Sequence, residues 1–474
     1  MKLYNTLTTN TDPLTFIQPG SAGVYTCGPT VYDYAHIGHW YNYVRMDTLI
    51  RALESEGNDV HWVMNITDVG HLVSDGDDGE DKLAKGAARE GKTAREIAAF
   101  YTEDFLAGMK ILNIRIPNKI VKATDHIEDQ IALIQRLSAK GFTYVIDDGV
   151  YFDTAKFPGY AAFARLDLEE QQAGARVNIN DQKRNQADFA LWKFSPFNTQ
   201  RDMEWENPFG NGRKGFPGWH IECSAMSMKY LGESFDIHTG GIDHIPVHHT
   251  NEIAQSEAAT GKRLANYWMH SNHVSVNGEK ISKSLGNGIR LQTITERGIS
   301  PQAIRLNILE SHYRSQSKFS WESLEAAQNR WQHWRAVAGL YWQLQPVSSS
   351  DSAVLAILAD VSSHIASAIA DDLNTPQVLT LVDRVLTEVE KQLLSAETFE
   401  PFKAFLEYID TILGLNLLTG SGPVPSTVTR LLLERQSARL AKDWAQSDKI
   451  RDHISELGYG IRDVSPDKTI WFRQ

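Results

Sequence analysis

Apolar and polar positions in the first 115 residues follow a strand, helix, strand rhythm. "GVYTCGPTVY" is a short apolar run rich in β-formers, and "HIGHWYNYVRMDTLIRALESEG" carries helical periodicity. "DVHWVMNIT" reads as the next strand. A βαβ unit of this kind predicts a parallel sheet with a ligand site at the carboxyl ends of its strands. "TAREIAAFYTEDFLAGMKIL" and "TDHIEDQIALIQRLSAKG" predict amphipathic helices, and "FTYVIDDGVYFDT" a hairpin turning at Asp147, Asp148 and Gly149. Residues 116–208, which contain "RNQADFALWKFSP", read as an insertion between two halves of the sheet. The second half spans 209–295, with "GFPGWHIECSAMSMKYLG", the strand-like "SFDIHTGG" and the alanine-rich "HHTNEIAQSEAATG". From about residue 296 the β-signals nearly vanish and helical patterns follow one another. "PVSSSD" and "TGSGPVPST" are the expected linkers, and no internal repeat is visible.

Composition narrows the class. A chain of 474 residues exceeds one hydrophobic core. With 42% hydrophobic and 22% charged residues it reads as an ordinary globular protein. No apolar run approaches the roughly 20 residues of a membrane span, and "MKLYNTLTTN" lacks the apolar stretch of a signal peptide. A cytoplasmic protein is expected. The net charge of −12 argues against unspecific coating of nucleic acid, though not against one local basic face. Two cysteines, Cys27 and Cys223, cannot make a disulfide framework.

Three stretches carry candidate chemistry. His36 and His39, three apart at a helix start with Gly38 between them, offer two imidazoles beside a helix N-terminus, which suits phosphate. "GEKISKSLGN" places Lys280 and Lys283 with Ser282 and Ser284 on a glycine-flanked loop, either an exposed basic turn or a second phosphate contact. Cys27, Cys223 and the i, i+4 pair His248 and Glu252 can together ligate zinc. A disulfide or two inert buried thiols remain the local alternatives. The acidic "SDGDDGEDK" lacks the fifth-position ligand of a calcium loop, where Gly79 stands, and reads as a solvated loop.

"HIGH" and "KISKS", one in each half of a split sheet, resemble the paired signature of class I aminoacyl-tRNA synthetases. "CGPTVYDYAHIGH", "GWHIECSAM", "HHTNEIAQSEA" and "KISKSLGN" together resemble the cysteinyl-tRNA synthetases. "LYNTLT", "QQAGARV", "DFALWK", "SHYRSQ" and "DDLNTP" extend the likeness nearly end to end.

The resemblance implies an α/β protein: a split Rossmann-type parallel sheet with an insertion domain, followed by an all-helical C-terminal half ending in a tRNA-binding tail. It divides the chain into catalytic halves at 1–115 and 209–295, the insertion at 116–208, a stem-contact helical region at 296–345, a helical bundle at 346–418 and an anticodon-binding region at 419–474. It implies ATP-dependent activation of L-cysteine and its transfer to tRNA(Cys). ATP with Mg²⁺ meets His36, Gly38, His39, Lys280 and Lys283. Thr67 and Trp219 line the amino-acid pocket, and Cys27, Cys223, His248 and Glu252 hold one zinc ion. No membrane partner is implied, and a monomer is expected. "TDVGHL", "HTGGIDH", Val247 and Thr250 depart from the commoner family pattern without removing a ligand.

Zinc suits the task. Pocket shape alone separates near-isosteres by only about a hundredfold. A metal-bound thiol ionises and offers a soft sulfur, whereas a serine hydroxyl resists ionisation. A related ligase of mycothiol synthesis would share the core but not the tail. A helix drawn through "RQSARLAKDWAQSDKIRDHISELG" puts Arg435, Arg439, Lys442 and Lys449 on one stripe, with Leu433, Leu440 and Trp444 opposite. A non-catalytic tRNA- or zinc-binding descendant would be expected to have lost signature residues.

Overall fold

A computed structural model describes residues 1–70, 83, 86, 91–165, 181–196, 201–210, 212–276, 278–281, 288–343, 352–392, 394–465 and 468–473. Ser21–Thr26 (β1), Ile37–Ser55 (α1) and Asp59–Ile66 (β2) form the expected βαβ unit. Ala94–Ile111 (α2) leads to Lys119–Lys122 (β3) and Ile127–Ala139 (α3). Thr143–Ile146 (β4), Gly149–Phe152 (β5), Phe189–Phe194 (β6) and Gly215–Pro217 (β7) build an antiparallel sheet. Trp219–Leu231 (α4), Phe235–Gly241 (β8), Thr250–Thr260 (α5) and Ala265–Ser271 (β9) complete the catalytic half. The central sheet runs β9-β8-β1-β2-β3, every pair parallel. β3 apart, its strands are mostly buried, which is why they read as apolar runs.

Two expected boundaries move. The parallel sheet runs past residue 115, because β3 pairs with β2 through Val63 to Lys119 and Ile66 to Lys122. Its four residues, "KIVK", end in lysines, a charged edge strand that gives no apolar run to read. The antiparallel sheet continues past 208 to Pro217.

The C-terminal half is helical but not all-helical. Pro301–Leu309 (α6), Trp321–Ala338 (α7), Ser352–Ala370 (α8), Thr375–Gln392 (α9) and Ala396–Leu413 (α10) are helices. The short strand Ser317–Phe319 interrupts them. Ser426–Leu440 (α11) and Trp444–Glu456 (α12) are followed by an antiparallel hairpin, Tyr459–Ser465 (β10) with Lys468–Arg473 (β11). Ala353–Ala370 within α8 is long and apolar enough to cross a membrane, contrary to the expectation from the sequence. It packs instead on α9 and α10, burying Val354, Leu358, Val361, Ile365 and Ile369.

The tail's basic stripe is split, its two arginines turned inward and its two lysines exposed. A single helical wheel fails because the helix breaks at Lys442, whose φ is +58°. Arg435 is 4% exposed and pairs through both Nη atoms with Asp463 of β10, at 2.7 and 2.8 Å. Arg439 pairs with the same carboxylate. Leu433, Leu440 and Trp444 are exposed, and so are Lys442 and Lys449. Gln343 holds β11 to the body by bonding the Trp471 backbone in both directions, at 2.7 and 2.9 Å.

Candidate active site and metal centre

A cavity of about 370 Å³ opens at the carboxyl ends of the parallel strands. Cys27 follows β1, Thr67 follows β2, Gly241 ends β8 and Ser271 ends β9, and all four line it. His36, Gly38, His39, Trp219, Cys223 and His248 line it too. Glu252 sits beneath, 0% exposed. Lys280 ends a two-residue strand at the adjoining loop. Lys283, Ser282 and Ser284 lie outside the described residues, as do "SDGDDGEDK" and "QQAGARV".

The histidine pair begins α1 by capping it. His36 Nδ1 accepts from Gly38 N at 3.1 Å, and His39 Nδ1 accepts from His36 N at 3.0 Å. The first helical N–H groups are thus occupied: Ile37 N donates to Ile289 O, and His39 N to His36 O. The anion-binding capacity expected of a bare helix N-terminus rests here on the imidazoles. With both Nδ1 atoms accepting, each neutral ring carries its proton on Nε2. Gly28 is required by close approach, since a Cβ there would lie 1.6 Å from Asn65 O.

Cys27 and Cys223 are free thiols, their sulfurs 4.0 Å apart, far beyond the roughly 2.05 Å of a disulfide. They are not inert hydrophobes either. Cys27 Sγ lies 3.8 Å from Glu252 Oε1, and His248 Nε2 lies 3.0 Å from the same oxygen. Ligand atoms of Cys27, Cys223, His248 and Glu252 all fall within 4.8 Å of one another, close enough to hold one metal ion.

Electrostatics make Glu252 and His248 a charged pair within the cluster. Burial alone would raise Glu252, but His238 and His248 pull its carboxyl down to about 2. Burial alone would lower His248, yet Glu252 and Cys223 raise it to about 10. The Cys27 thiol is pushed up, first by burial, and its hydrogen bond draws the Cys223 thiol down. A buried set of acidic donors without a permanent cation is chemistry suited to a soft divalent metal.

Sequence reasoning missed Asn42, Asn65, Asp243, His244 and His273 on the cavity wall. His273 pairs with Asp243 at 3.2 Å. His244 faces Trp219 edge-on at 6.3 Å, and burial lowers its imidazole to about 3. The only signal was the histidine-rich "HTGGIDHIPVHH" itself, whose Gly240 leaves no room for a Cβ beside His244 and His249.

Comparison with known proteins extends the picture to nearly the whole chain. The model of the class I (C) tRNA synthetase catalytic domain matches residues 13–329, and that of the cysteinyl-tRNA ligase anticodon binding domain matches 421–473. Cysteine–tRNA ligase 1 of Burkholderia lata is 47% identical, covering 98% of this chain and 95% of its own. The cysteine–tRNA ligase of Treponema denticola is 43% identical over 99% of both, and that of Thermus thermophilus 41% over 98% and 97%. In fold, the chain is similar to Mycobacterium tuberculosis methionyl-tRNA synthetase in complex with methionyl-adenylate, with a TM-score of 0.58, 16% identity and coverage of 84% and 92%. A catalytic-domain match over more than half the length, with relatives above 40% identity along almost all of it, leaves one conclusion: the chain belongs to the cysteinyl-tRNA ligase family of class I synthetases.

Proposed function

We propose that the protein is a cysteine–tRNA ligase that activates L-cysteine with ATP and transfers it to the 3′ end of tRNA(Cys). The observation that carries this is the buried Cys27, Cys223, His248, Glu252 set facing a cavity that also receives His36 and His39. A zinc ion held by those four side chains would supply a soft Lewis acid that binds thiolate in preference to hydroxyl.

The remaining work belongs to the chain's own groups. Trp219, tilted against His248 with ring centroids 4.4 Å apart, and Thr67, held by Asn65 Nδ2 at 3.1 Å, wall the amino-acid end of the cavity. The Nε2–H groups of His36 and His39 present donors to ATP·Mg²⁺, with Gly38 permitting close approach. Lys280 and Lys283 add positive charge against the negative charge that builds on the reacting phosphates. The cysteine carboxylate attacks the α-phosphorus and pyrophosphate leaves; a terminal ribose hydroxyl of the tRNA then attacks the acyl carbon of the adenylate, forming the ester and releasing AMP. Positioning and fixed charge supply the acceleration. The C-terminal unit from residue 421, which matches an anticodon-binding model, favours tRNA over an amino-sugar acceptor. We take the enzyme to act as a cytoplasmic monomer.

The test is pyrophosphate exchange with cysteine and with serine, beside aminoacylation of tRNA(Cys) transcript. Exchange with cysteine alone, and charging of that tRNA, are expected. Exchange without tRNA charging would favour the amino-sugar ligase, and no exchange would remove both.

A further inference from the structure

His238 and His249, two histidines given no role above, stand beside the candidate ligands and are 0% exposed. His249 Nε2 lies 3.3 Å from Cys27 Sγ and 4.0 Å from Glu252 Oε1. His238 Nε2 lies 3.0 Å from Glu252 Oε2. Ligand atoms of Cys27, His238, His249 and Glu252 fall within 4.8 Å of one another, as those of the first set do. Metal–ligand bonds of about 2.0 to 2.3 Å in a tetrahedron put donors about 3.3 to 3.8 Å apart, so modest contraction closes either set. Cys27 and Glu252 belong to both.

We propose that the metal has two overlapping seats: an outer one of Cys27, Cys223, His248 and Glu252, and an inner one of Cys27, His238, His249 and Glu252, out of the substrate's reach. This rests on the zinc reading above. Access differs, since Cys223 and His248 line the cavity whereas His238, His249 and Glu252 do not. Charge differs as well. The outer set offers two thiolates and a carboxylate to a divalent ion, leaving the complex negative. The inner set offers one thiolate, one carboxylate and two neutral imidazoles, a neutral complex that costs less to bury.

Support around the inner seat is in place. His249 Nδ1 lies 2.8 Å from His270 Nε2, and His270 Nδ1 lies 2.7 Å from Thr6 Oγ1. When His249 donates to His270 and His270 to Thr6, the His249 Nε2 lone pair faces Cys27 and Glu252, the orientation that an outer hydrogen bond gives a metal-binding imidazole. His238, by contrast, lacks that outer bond, its Nδ1 being buried with no hydrogen-bond partner.

The two seats predict unequal losses, read on the full-length protein by zinc stoichiometry and by the thiolate bands of its cobalt-substituted form. Cys27→Ser or Glu252→Gln removes a shared donor and should abolish metal binding. Cys223→Ser, or His248→Gln should the former not fold, should keep about one metal per chain, with affinity within about a hundredfold of the parent. Cobalt in Cys223→Ser should show one thiolate, and adding His249→Gln should release it. Loss of metal from Cys223→Ser and His248→Gln as complete as from Cys27→Ser would overturn the inner seat. So would retention after adding His249→Gln, the result if His249 only donates a hydrogen bond to the Cys27 sulfur. A parent protein that takes up no zinc would instead sink the zinc reading itself.

Discussion

Asp47 and Glu252 are both fully buried carboxylates, and they differ in what surrounds them. Asp47, in α1, receives Arg51 Nε at 2.7 Å, Arg305 Nη2, and Arg115 N at 2.8 Å. Burial alone would raise its carboxyl, and the two guanidiniums bring it below the ordinary value. Those guanidiniums go on to cap carbonyls: Arg51 bonds Thr411 O at 2.9 Å and Arg305 bonds Leu413 O, so α1 and α6 are tied to the end of α10. Glu252 faces His238, His248 and Cys27, none of which carries a fixed positive charge. A buried carboxylate with permanent cations is a finished structural joint. One whose partners are titratable donors is built to receive a cation.

The largest expected effect breaks the first member of the pair. Asp47→Ala strands two buried guanidiniums and should destabilise the fold by about 3 to 5 kcal/mol, measured by denaturant unfolding. A loss below about 1 kcal/mol would mean the hub is solvated in practice. Glu252→Gln comes next: it should lower zinc affinity by more than about a hundredfold, since even outer partners of metal ligands are worth 10 to 100. Cysteine-dependent pyrophosphate exchange should fall with it. Treating the parent with a chelator should reproduce the Glu252→Gln phenotype and leave the Asp47→Ala destabilisation unchanged.

These two sites were not equally legible. Cys27, Cys223, His248 and Glu252 stood out because the chain has only two cysteines and their neighbours are metal-binding side chains in a spacing with chemical meaning. Asp47, Arg51 and Arg305 left no such mark. An aspartate and arginine four apart read as a solvated helix face, and Arg305 is 258 residues distant. His238 hid in the same way, because a strand residue 14 positions before Glu252 meets it only where the helix α5 folds back beside β8. The tail misled for a local reason: one periodicity was drawn through two helices. The β10–β11 hairpin went unread although "YGIRDVS" and "KTIWFR" hold its β-branched and aromatic residues.

A smaller effect tests whether Asp463 belongs with Asp47. Asp463 is held down to about 2, first by its hydrogen bond from Arg435, but its side chain is 31% exposed. A depressed carboxyl stabilises above its unfolded value and loses that contribution as pH falls toward the folded one. The C-terminal unit should therefore loosen between about pH 4 and 2, while staying unchanged from pH 5 to 8. Asp463→Asn should cost about 1 kcal/mol at neutral pH, the level of a partly exposed pair. Amide exchange in α11 and β10 would register both.

The smallest perturbation concerns Cys27→Ser viewed through the fold. It is nearly isosteric, so unfolding should stay within about 0.5 kcal/mol of the metal-free parent, even as metal content falls. A larger loss would give Cys27 a packing role like that of Asp47.

The cap at the start of α1 has a consequence for how genetic data on this enzyme are to be interpreted. His36 and His39 each spend one ring nitrogen on the helix, and both rings line the cavity where we propose the nucleotide binds. Alanine at His36 therefore deletes two things at once, a substrate donor and a helix end worth about 1 kcal/mol, and an inactive allele does not say which was lost. Asparagine separates them, because its short amide caps a helix well but cannot reach as far as the imidazole edge. An His36→Asn allele that is thermally sound and inactive marks a lost contact. One that regains activity shows that the alanine phenotype was a frayed helix in disguise.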